Sequence, residues 1–435
     1  MRNLPQGWMQ SELGALSDVA IGGTPSRDIP RYWANNDLDG QPWVAISDLH
    51  GRVIESTGES ITEAGIANSN VKLVKRGTVL MSFKLSLGRV AFAGCDLYTN
   101  EAIAAFLVND QVTPAYLYYA LPEAVRGAAT DVAIKGATLN KKSLRKLLIE
   151  HPIRSTQQKI ATILSTIDTA IEQTEALIEK YQYIKAGLMH DLFTRGVLST
   201  GQLRPPREQA PELYQETAIG WIPRVWRVSD LRSCLLENPT NGIYKPAELI
   251  GQGTLMVGQT AFTAERSVDF SLCRRGFVDA NELQRYGLAK DDVLVTRVFA
   301  TVQGVGLPTL VPELAEAAVF ESNMMRLRVN AKAVLPRLLF EWLRGQQARR
   351  YIHGGANASN QSSVNQGVLN PLPVPIPELA EQTCMAKMIE ELDQRYAIEQ
   401  VALAKLQSQK LGLMQDLLTG KVSVTTPPAQ GVATP

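Results

Sequence analysis

Basic side chains in this 435-residue sequence gather in three runs that contain almost no acidic residue. Val71 to Val90 and Lys135 to Lys146 contain neither Asp nor Glu, and Arg326 to Arg350 contains only Glu341. Lysine and arginine beside Ser, Thr, Asn and Gln suit the positioning of a phosphate backbone together with hydrogen bonding to base edges. These runs predict contacts with nucleic acid, and a solvated charged face is the alternative for each single run.

Ten residues within or near these runs are the predicted DNA contacts: Lys84, Ser86, Arg89, Lys135, Thr138, Asn140, Lys141, Arg297, Asn360 and Gln361. The first three follow a strand-like run and share a polar loop with Gly88, a pattern that fits a structural turn equally well. Asn140, and Asn365 in the second half of the chain, are also suited to capping or bracing a junction. The amides of "NASNQSS", from Asn357 to Ser363, can pair with adenine edges.

No residues have the spacing of a catalytic or metal site. The sequence lacks a GxxxxGK[ST] phosphate loop and an Asn/Asp-Pro-Pro-aromatic run, and "GQG" and "GVG" are lone glycine pairs typical of turns. The histidines and cysteines are dispersed, at His50, His151, His190, His353, Cys95, Cys234, Cys273 and Cys384. We therefore expect no catalytic residue, metal or cofactor in this chain.

Composition indicates a globular protein of two or three domains, with 45% hydrophobic and 20% charged residues. A formal net charge of +1 gives no overall attraction for a polyanion. The N-terminus does not resemble a signal peptide, and no apolar run approaches the roughly 20 residues that span a bilayer. These features predict a cytoplasmic protein.

A repeat relates the two halves of the chain. At an offset of 225 positions, residues 138–197 align without a gap with residues 363–422. Identical pairs include Asn140 and Asn365, Pro152 and Pro377, Gln157 and Gln382, Asp168 and Asp393, Lys185 and Lys410, and Gly187 and Gly412. The first parts of the halves match more loosely, as in "LPQGWMQSEL" from Leu4 and "IPRVWRVSDL" from Ile222. The chain is interpreted as two tandem units with an internal pseudo-two-fold repeat.

Each repeat contains apolar residues at alternating steps of four and three, the pattern of a coiled-coil seam over about five heptads. The seam positions are Ile160, Leu164, Ile167, Ile171, Ile178, Tyr181, Leu188 and Leu192, and Met385, Ile389, Leu392, Tyr396, Leu403, Leu406, Leu413 and Leu417. Polar residues interrupt each seam at matching places, namely Thr174 with Glu399 and Lys185 with Lys410. We predict that these four fix the coiled-coil register; the alternative for the lysines is that they reach into water.

The resulting organisation has a globular domain at residues 1–152, a central helix at 153–197, a linker at 198–217, a second domain at 218–377, a C-terminal helix at 378–422 and a disordered tail at 423–435. If a two-fold axis relates the units, the helices pack antiparallel. About 36 residues at 1.5 Å each make a rod of roughly 54 Å. Such a rod suits a spacer between two reading domains.

Several motifs resemble those of the specificity subunit of type I restriction–modification systems. They are the "LPxGW" opening, "GGTPSR" from Gly22, "WVAISDL" from Trp43, "SFKLSLGRVAF" from Ser82, the proline separated from a glutamine by four residues at each helix start, Pro152 and Pro377, and the "GLMxDL" helix endings. The resemblance covers nearly the whole chain and is weakest in the middle of the second unit.

The resemblance implies two tandem target recognition domains of α/β (mixed α+β) character, joined by two long helices in an antiparallel coiled coil. It further implies a bipartite double-stranded DNA target, two docked methyltransferase subunits and added restriction/translocase subunits, with S-adenosylmethionine, ATP and Mg²⁺ on those partners. Two alternatives stand beside it. A coiled-coil scaffold without sequence readout explains the rod but not the basic runs, and a DNA methyltransferase lacks room for a catalytic domain.

Overall fold

The structure is a computed structural model that describes residues 4–34, 40–84, 86–130, 139–263, 266–357 and 361–424. It contains two compact units. Unit 1 comprises residues 1–176 and 401–435, and unit 2 comprises residues 177–400. The two long helices each contribute one part to either unit. Among the described residues, no helix has the length and apolar character needed to cross a membrane.

Unit 1 is a mixed α/β domain. Its strands are β1 (Trp8–Glu12), β2 (Ser17–Ile21), β3 (Gln41–Val44), β4 (Val53–Ile54), β5 (Glu59–Ile61), β6 (Val79–Ser82), β7 (Val90–Ala93), β8 (Tyr98–Thr99), β9 (Ile103–Val108) and β10 (Leu148–Pro152). Its helices are α1 (Leu13–Leu16), α2 (Glu63–Ala67), α3 (Pro114–Thr130), α4 (Lys141–Arg145) and the first part of α5 (Arg154–Thr194). The main sheet has the order β2-β9-β6-β7-β4, and a smaller sheet has the order β5-β3-β8.

Unit 2 is also mixed α/β. Its strands are β11 (Tyr214–Thr217), β12 (Gly220–Pro223), β13 (Arg227–Asp230), β14 (Thr240–Asn241), β15 (Ile250–Val257), β16 (Arg274–Gly276), β17 (Val293–Thr296), β18 (Val298–Phe299), β19 (Pro308–Leu310), β20 (Ala318–Phe320), β21 (Met324–Leu327), β22 (Ser362–Ser363) and β23 (Pro373–Ile376). Its helices are α6 (Ala280–Tyr286), α7 (Pro336–Arg344), α8 (Gln346–Gly355), α9 (Gln366–Leu369) and the first part of α10 (Leu379–Leu417). Its main sheet has the order β14-β21-β17-β19.

The main sheets of the units share one plan. The run β2-β9-β6-β7 in unit 1 corresponds to β14-β21-β17-β19 in unit 2, with β6 and β17 as fully buried central strands. Both central strands follow a turn with a left-handed residue, Gly77 at φ 83° and Asp291 at φ 67°. A left-handed Asp is uncommon, but its short polar side chain tolerates the conformation. The sequence match around these two positions therefore reflects a shared turn.

In each unit one strand pairs antiparallel with the strand that leads into the long helix: β1 pairs with β10 in unit 1, and β13 pairs with β23 in unit 2. Trp8 lies opposite Pro152 in the β1–β10 pair, and Arg227 lies opposite Ile376 in the β13–β23 pair. This pairing closes each domain beside the start of its helix. The predicted linker, residues 198–217, lies in unit 2, where Arg204 forms an ion pair with Glu381 and β11 pairs with β12.

A buried glutamine ties each long helix to its domain. Gln157 is fully buried, accepts a hydrogen bond from the amide of Thr113 at 2.8 Å, and donates to the carbonyls of Gln111 at 2.8 Å and Pro152 at 2.9 Å. Gln382 repeats this set with Leu335, Ala333 and Pro377, at 2.8, 3.1 and 2.9 Å. Each glutamine thereby satisfies backbone groups just before α3 or α7.

Each long helix ends at a glycine, Gly196 or Gly420, that packs against a tryptophan. We call these two helix ends the docking tips. Gly196 follows α5 at φ 61° and lies against Trp226, while Gly420 follows α10 at φ 65° and lies against Trp8. A Cβ atom on Gly420 would come within 2.7 Å of the Trp8 ring, so both the backbone conformation and the space require glycine. In unit 2 the end of α5 thus contacts a tryptophan of the second repeat, and in unit 1 the end of α10 contacts the equivalent tryptophan of the first.

We expect Gly196→Ala to lower the free energy of unfolding by about 2 to 3 kcal/mol, because it combines a left-handed alanine with a clash against Trp226. Gly187→Ala is the matched control. Gly187 lies inside α5 with no atom within 4 Å of a Cβ, so alanine there is expected to stabilise by about 0.5 to 1 kcal/mol. Urea denaturation measures both, and equal effects would contradict the docking-tip assignment.

Candidate nucleic-acid interface

Three loops of unit 1 meet at one end of the main sheet. Ile21, the last residue of β2, lies opposite Ala104, and Ser82, the last residue of β6, lies opposite Ile103. Strand β7 starts at the same edge, with Val90 opposite Met81. The "GGTPSR" loop, the β6–β7 loop and the turn before β9 are therefore neighbours. Gly22 packs so closely on Thr99 and Asn100 that a side chain would overlap their backbone.

The β6–β7 loop contains the predicted contacts Lys84, Ser86 and Arg89. The amide of Ser82 donates to Arg89 at 2.9 Å, and the amide of Gly88, at φ 82°, donates to Ser82 at 2.9 Å. Lys84 and Ser86 are half-buried and Arg89 is exposed. A hydrogen bond from Thr24, and to a smaller extent the charges of Lys84 and Arg27, lower the pKa of Glu101. The loop is therefore an ordered, hydrogen-bonded turn. Its basic side chains lie at the same edge of the main sheet as the carboxylate of Glu101.

Unit 2 repeats this edge with a longer loop. The amide of Thr296 donates to Leu307 at 3.0 Å, and the amide of Gly306, at φ 68°, donates to Thr296 at 2.7 Å. The enclosed loop runs over residues 297–307, compared with 83–89 in unit 1. Strand β18 within it pairs with β22, so that Val298 lies opposite Ser363. This pairing brings Arg297 and the segment that contains Gln361 into one loop cluster.

The remaining predicted contacts have different surroundings. Asn140 caps α4 by accepting from the amide of Ser143 at 2.9 Å, and Asn365 caps α9 by accepting from the amide of Val368 at 3.2 Å. Lys141 is exposed in the first turn of α4. Lys135, Thr138 and Asn360 lie outside the described residues. The capping interpretation of the two asparagines thus has direct geometric support.

Ion pairs with carboxylates neutralise some of the basic side chains in the three runs and leave others unpaired among the described residues. In the first run Lys75 pairs with Asp96 at 2.7 Å, and it precedes β6, at the opposite end of that strand from Lys84. In the third run most arginines face carboxylates from other parts of the chain or from their own helix: Arg326 with Glu237, Arg328 with Asp292, Arg337 with Glu341 and Asp393, and Arg344 with Glu341. The sequence of the run does not reveal these carboxylates, because most of them lie 36 or more residues away from their arginine along the chain.

The seam lysines form reciprocal ion pairs across the repeat. Lys410 Nζ lies 2.6 Å from Asp168 in unit 1, and Lys185 Nζ lies 2.5 Å from Asp393 in unit 2. The domain adds a third member to each pair, since the hydroxyl of Tyr119 donates to Asp168 at 2.6 Å and Arg337 pairs with Asp393. Burial and that hydrogen bond raise the pKa of Tyr119, which keeps the donor protonated. The lysines therefore do not reach freely into water.

Every predicted seam position is buried or half-buried, including Thr174 and Glu399. Within unit 1, Ile160 and Leu164 of α5 share a core with Leu417 of α10 and with Leu418, the residue that follows this helix. Within unit 2, Leu192 of α5 shares a core with Met385 and Ile389 of α10. No group of three or more His, Cys, Asp or Glu side chains that could hold a metal ion occurs in the described part of the chain.

The type I restriction modification DNA specificity domain matches residues 5–182 and 281–408 of the chain. The chain belongs to this family. The match covers parts of both repeats, including the two strand–turn regions, the buried glutamines Gln157 and Gln382, and the aspartates of the reciprocal pairs, Asp168 and Asp393. Family membership thus agrees with the features that the two units share.

Sequence relatives agree with this assignment, and a solved structure shares the fold. The MjaIX specificity subunit of Methanocaldococcus jannaschii is 28% identical over 243 residues, which cover 53% of this chain and about half, 52%, of that relative. The putative MjaX specificity subunit of the same organism is 23% identical over 97% of this chain and 95% of its own length. The crystal structure of the S subunit from M. genitalium has a TM-score of 0.57 at 15% identity, over 96% of this chain and 98% of that one. The structural likeness concerns the fold.

Proposed function

We propose that the chain is the DNA-reading subunit of a type I restriction–modification complex and that each unit reads one half of a bipartite double-stranded DNA target. The observation that carries this proposal is the duplicated sheet edge. Both units build the same turn from a positive-φ glycine, yet fill it with a seven-residue loop in one case and an eleven-residue loop in the other. One scaffold with two different loops suits two different half-sites.

The two long helices form the spacer in this proposal. In unit 1, Ile160 shares a core with Leu417 and Asp168 pairs with Lys410; in unit 2, Lys185 pairs with Asp393 and Leu192 shares a core with Ile389. Within each unit the contacts therefore run in opposite order along α5 and α10. This order supports an antiparallel coiled coil. Methyltransferase subunits would dock on this chain and restriction/translocase subunits would join them, while S-adenosylmethionine, ATP and Mg²⁺ would bind to those partners. The chain itself would be non-catalytic and would work in the cytoplasm, where it meets DNA.

Binding experiments separate this role from a coiled-coil scaffold without sequence readout. The chain, purified with its methyltransferase partner, is titrated into a pool of random duplexes at 50 and 200 mM salt. We expect enrichment of one bipartite sequence, an affinity at least about 1000-fold above that for unrelated DNA, and a steep loss with salt. A salt-sensitive affinity that is equal for all duplexes would support the scaffold and contradict sequence reading.

A further inference from the structure

A small polar cleft opens at the sheet edge of unit 2. It has a volume of about 490 Å³ and is lined by Asn241, Arg297, Asn365, Gln366 and Gly367. These residues come from the end of β14, the residue after β17 and the start of α9. Among the described residues, no carboxylate lines this cleft. It therefore has a net positive charge, unlike the neighbouring arginines at 326 and 328, which are paired with Glu237 and Asp292.

Arg297 is held by one end of its guanidinium and open at the other. Its Nε donates to the carbonyl of Ser322 at 3.0 Å, and its backbone amide donates to the carbonyl of Asn323 at 2.8 Å. Its two Nη nitrogens make no hydrogen bond with any residue that the structure describes. An anchored Nε fixes the plane of the guanidinium, so the Nη edge is ready to donate two parallel hydrogen bonds.

Amide groups flank this arginine. Asn241 is exposed, and its side chain has no hydrogen-bond partner among the described residues. Gln366 donates through Nε2 to the carbonyl of Pro239 at 2.6 Å, which leaves its Oε1 as an acceptor. Asn365 uses Oδ1 to cap α9 and keeps its Nδ2 as a donor. The cleft thus offers an arginine edge beside a free Asn amide, the two side-chain types that recognise purine edges in the major groove.

We propose that Arg297 reads a guanine and that Asn241 reads an adjoining adenine in the half-site of unit 2. This inference rests on the proposed function and extends it to particular residues. The guanidinium edge matches the O6 and N7 acceptors of guanine, and a carboxamide matches N6 and N7 of adenine. In unit 1 the equivalent position is Phe83, whose amide likewise donates across the sheet edge, to Ala102 at 3.0 Å, but whose side chain is buried. Unit 1 therefore reads its half-site with other residues.

The test uses the full chain assembled with its methyltransferase partner and maps the methylated motif for wild type, Arg297→Gln, Arg297→Lys, Asn241→Ala and Arg227→Ala. Arg297→Gln is expected to reduce the preference for guanine at one position of one half-site by about 10-fold to 100-fold, and to favour adenine there. Arg297→Lys retains guanine with weaker discrimination. Asn241→Ala relaxes the adjoining position. Arg227 is an exposed arginine of β13 outside the cleft and outside the three basic runs, so its loss should leave the motif unchanged.

Unchanged motifs in the Arg297→Gln and Asn241→Ala complexes would overturn this inference while leaving the proposed function intact. A change in the half-site of unit 1, or equal relaxation at every position, would overturn it as well. Asn241→Ala keeps the test decisive if Arg297→Gln lowers the yield of folded protein, because Asn241 makes no side-chain hydrogen bond in the described structure. A wild-type complex without any motif would instead contradict the proposed function itself.

Discussion

Replacing Gln157 by alanine is expected to lower the free energy of unfolding by about 3 to 5 kcal/mol. Three backbone groups, the amide of Thr113 and the carbonyls of Gln111 and Pro152, would lose their partner at a fully buried position. Each unsatisfied buried group costs roughly 1 to 3 kcal/mol, and the vacated volume adds a cavity. Gln382→Ala should have a similar effect in unit 2, because the repeated residue makes the repeated set of bonds.

Urea denaturation of Gln157→Ala measures this effect, and Gln158→Ala is its matched control. Gln158 is the next residue of the same helix and is exposed, so its truncation should change the free energy of unfolding by less than about 0.5 kcal/mol. If the two variants proved equally stable, the buried amide would not be what fastens the helix to its domain.

The second large effect concerns the reciprocal ion pairs. Asp168→Ala should lower the free energy of unfolding by about 2 to 4 kcal/mol, because it removes the partner of both Lys410 and the Tyr119 hydroxyl. The Asp168 side chain is 7% exposed, whereas that of Asp393 is 29% exposed, so Asp393→Ala should cost less.

A double-mutant cycle with Lys410→Met isolates the pair itself, and we expect a coupling energy of about 1 to 3 kcal/mol. Glu391→Ala is the control, since its pairing with Lys387 is a 3.9 Å contact between exposed side chains within one helix. That control should cost at most about 0.5 kcal/mol. A coupling energy no larger than about 0.5 kcal/mol, the most expected from the exposed pair, would remove Lys410 and Asp168 as determinants of helix register.

Local patterns in the sequence anticipated the repeated features well. The predicted helices at 153–197 and 378–422 correspond to α5 (Arg154–Thr194) and α10 (Leu379–Leu417), because a long apolar period and a following glycine are signals contained within the helix itself. The aligned strand regions, β6 and β17, occupy equivalent places in the two main sheets. A buried apolar run after a turn is likewise a signal contained within the segment itself. Residue identity between the repeats also singles out Gln157, Asp168 and Lys185, each of which makes a buried hydrogen bond or an ion pair in the structure.

Contacts between residues that are far apart in the sequence could not be predicted from local patterns. Arg326 and Arg328 formed part of a basic run, yet the structure neutralises them with Glu237 and Asp292. Lys185 appeared as an interruption of an apolar seam, and its partner Asp393 is 208 positions away. Asn241, which completes the cleft around Arg297, lies on a two-residue strand without a motif. In each case the information is in the fold and not in the neighbouring sequence.

The central claim is that this chain selects the DNA sequence on which its partners act. Its most direct test is co-expression with the neighbouring methyltransferase subunit, followed by mapping of methylated adenines across the host genome, with and without this chain. We expect a bipartite motif, two specific blocks separated by a fixed gap, that disappears when the chain is omitted. A stable complex that methylates without sequence preference, or a motif that persists in the absence of the chain, would contradict the account.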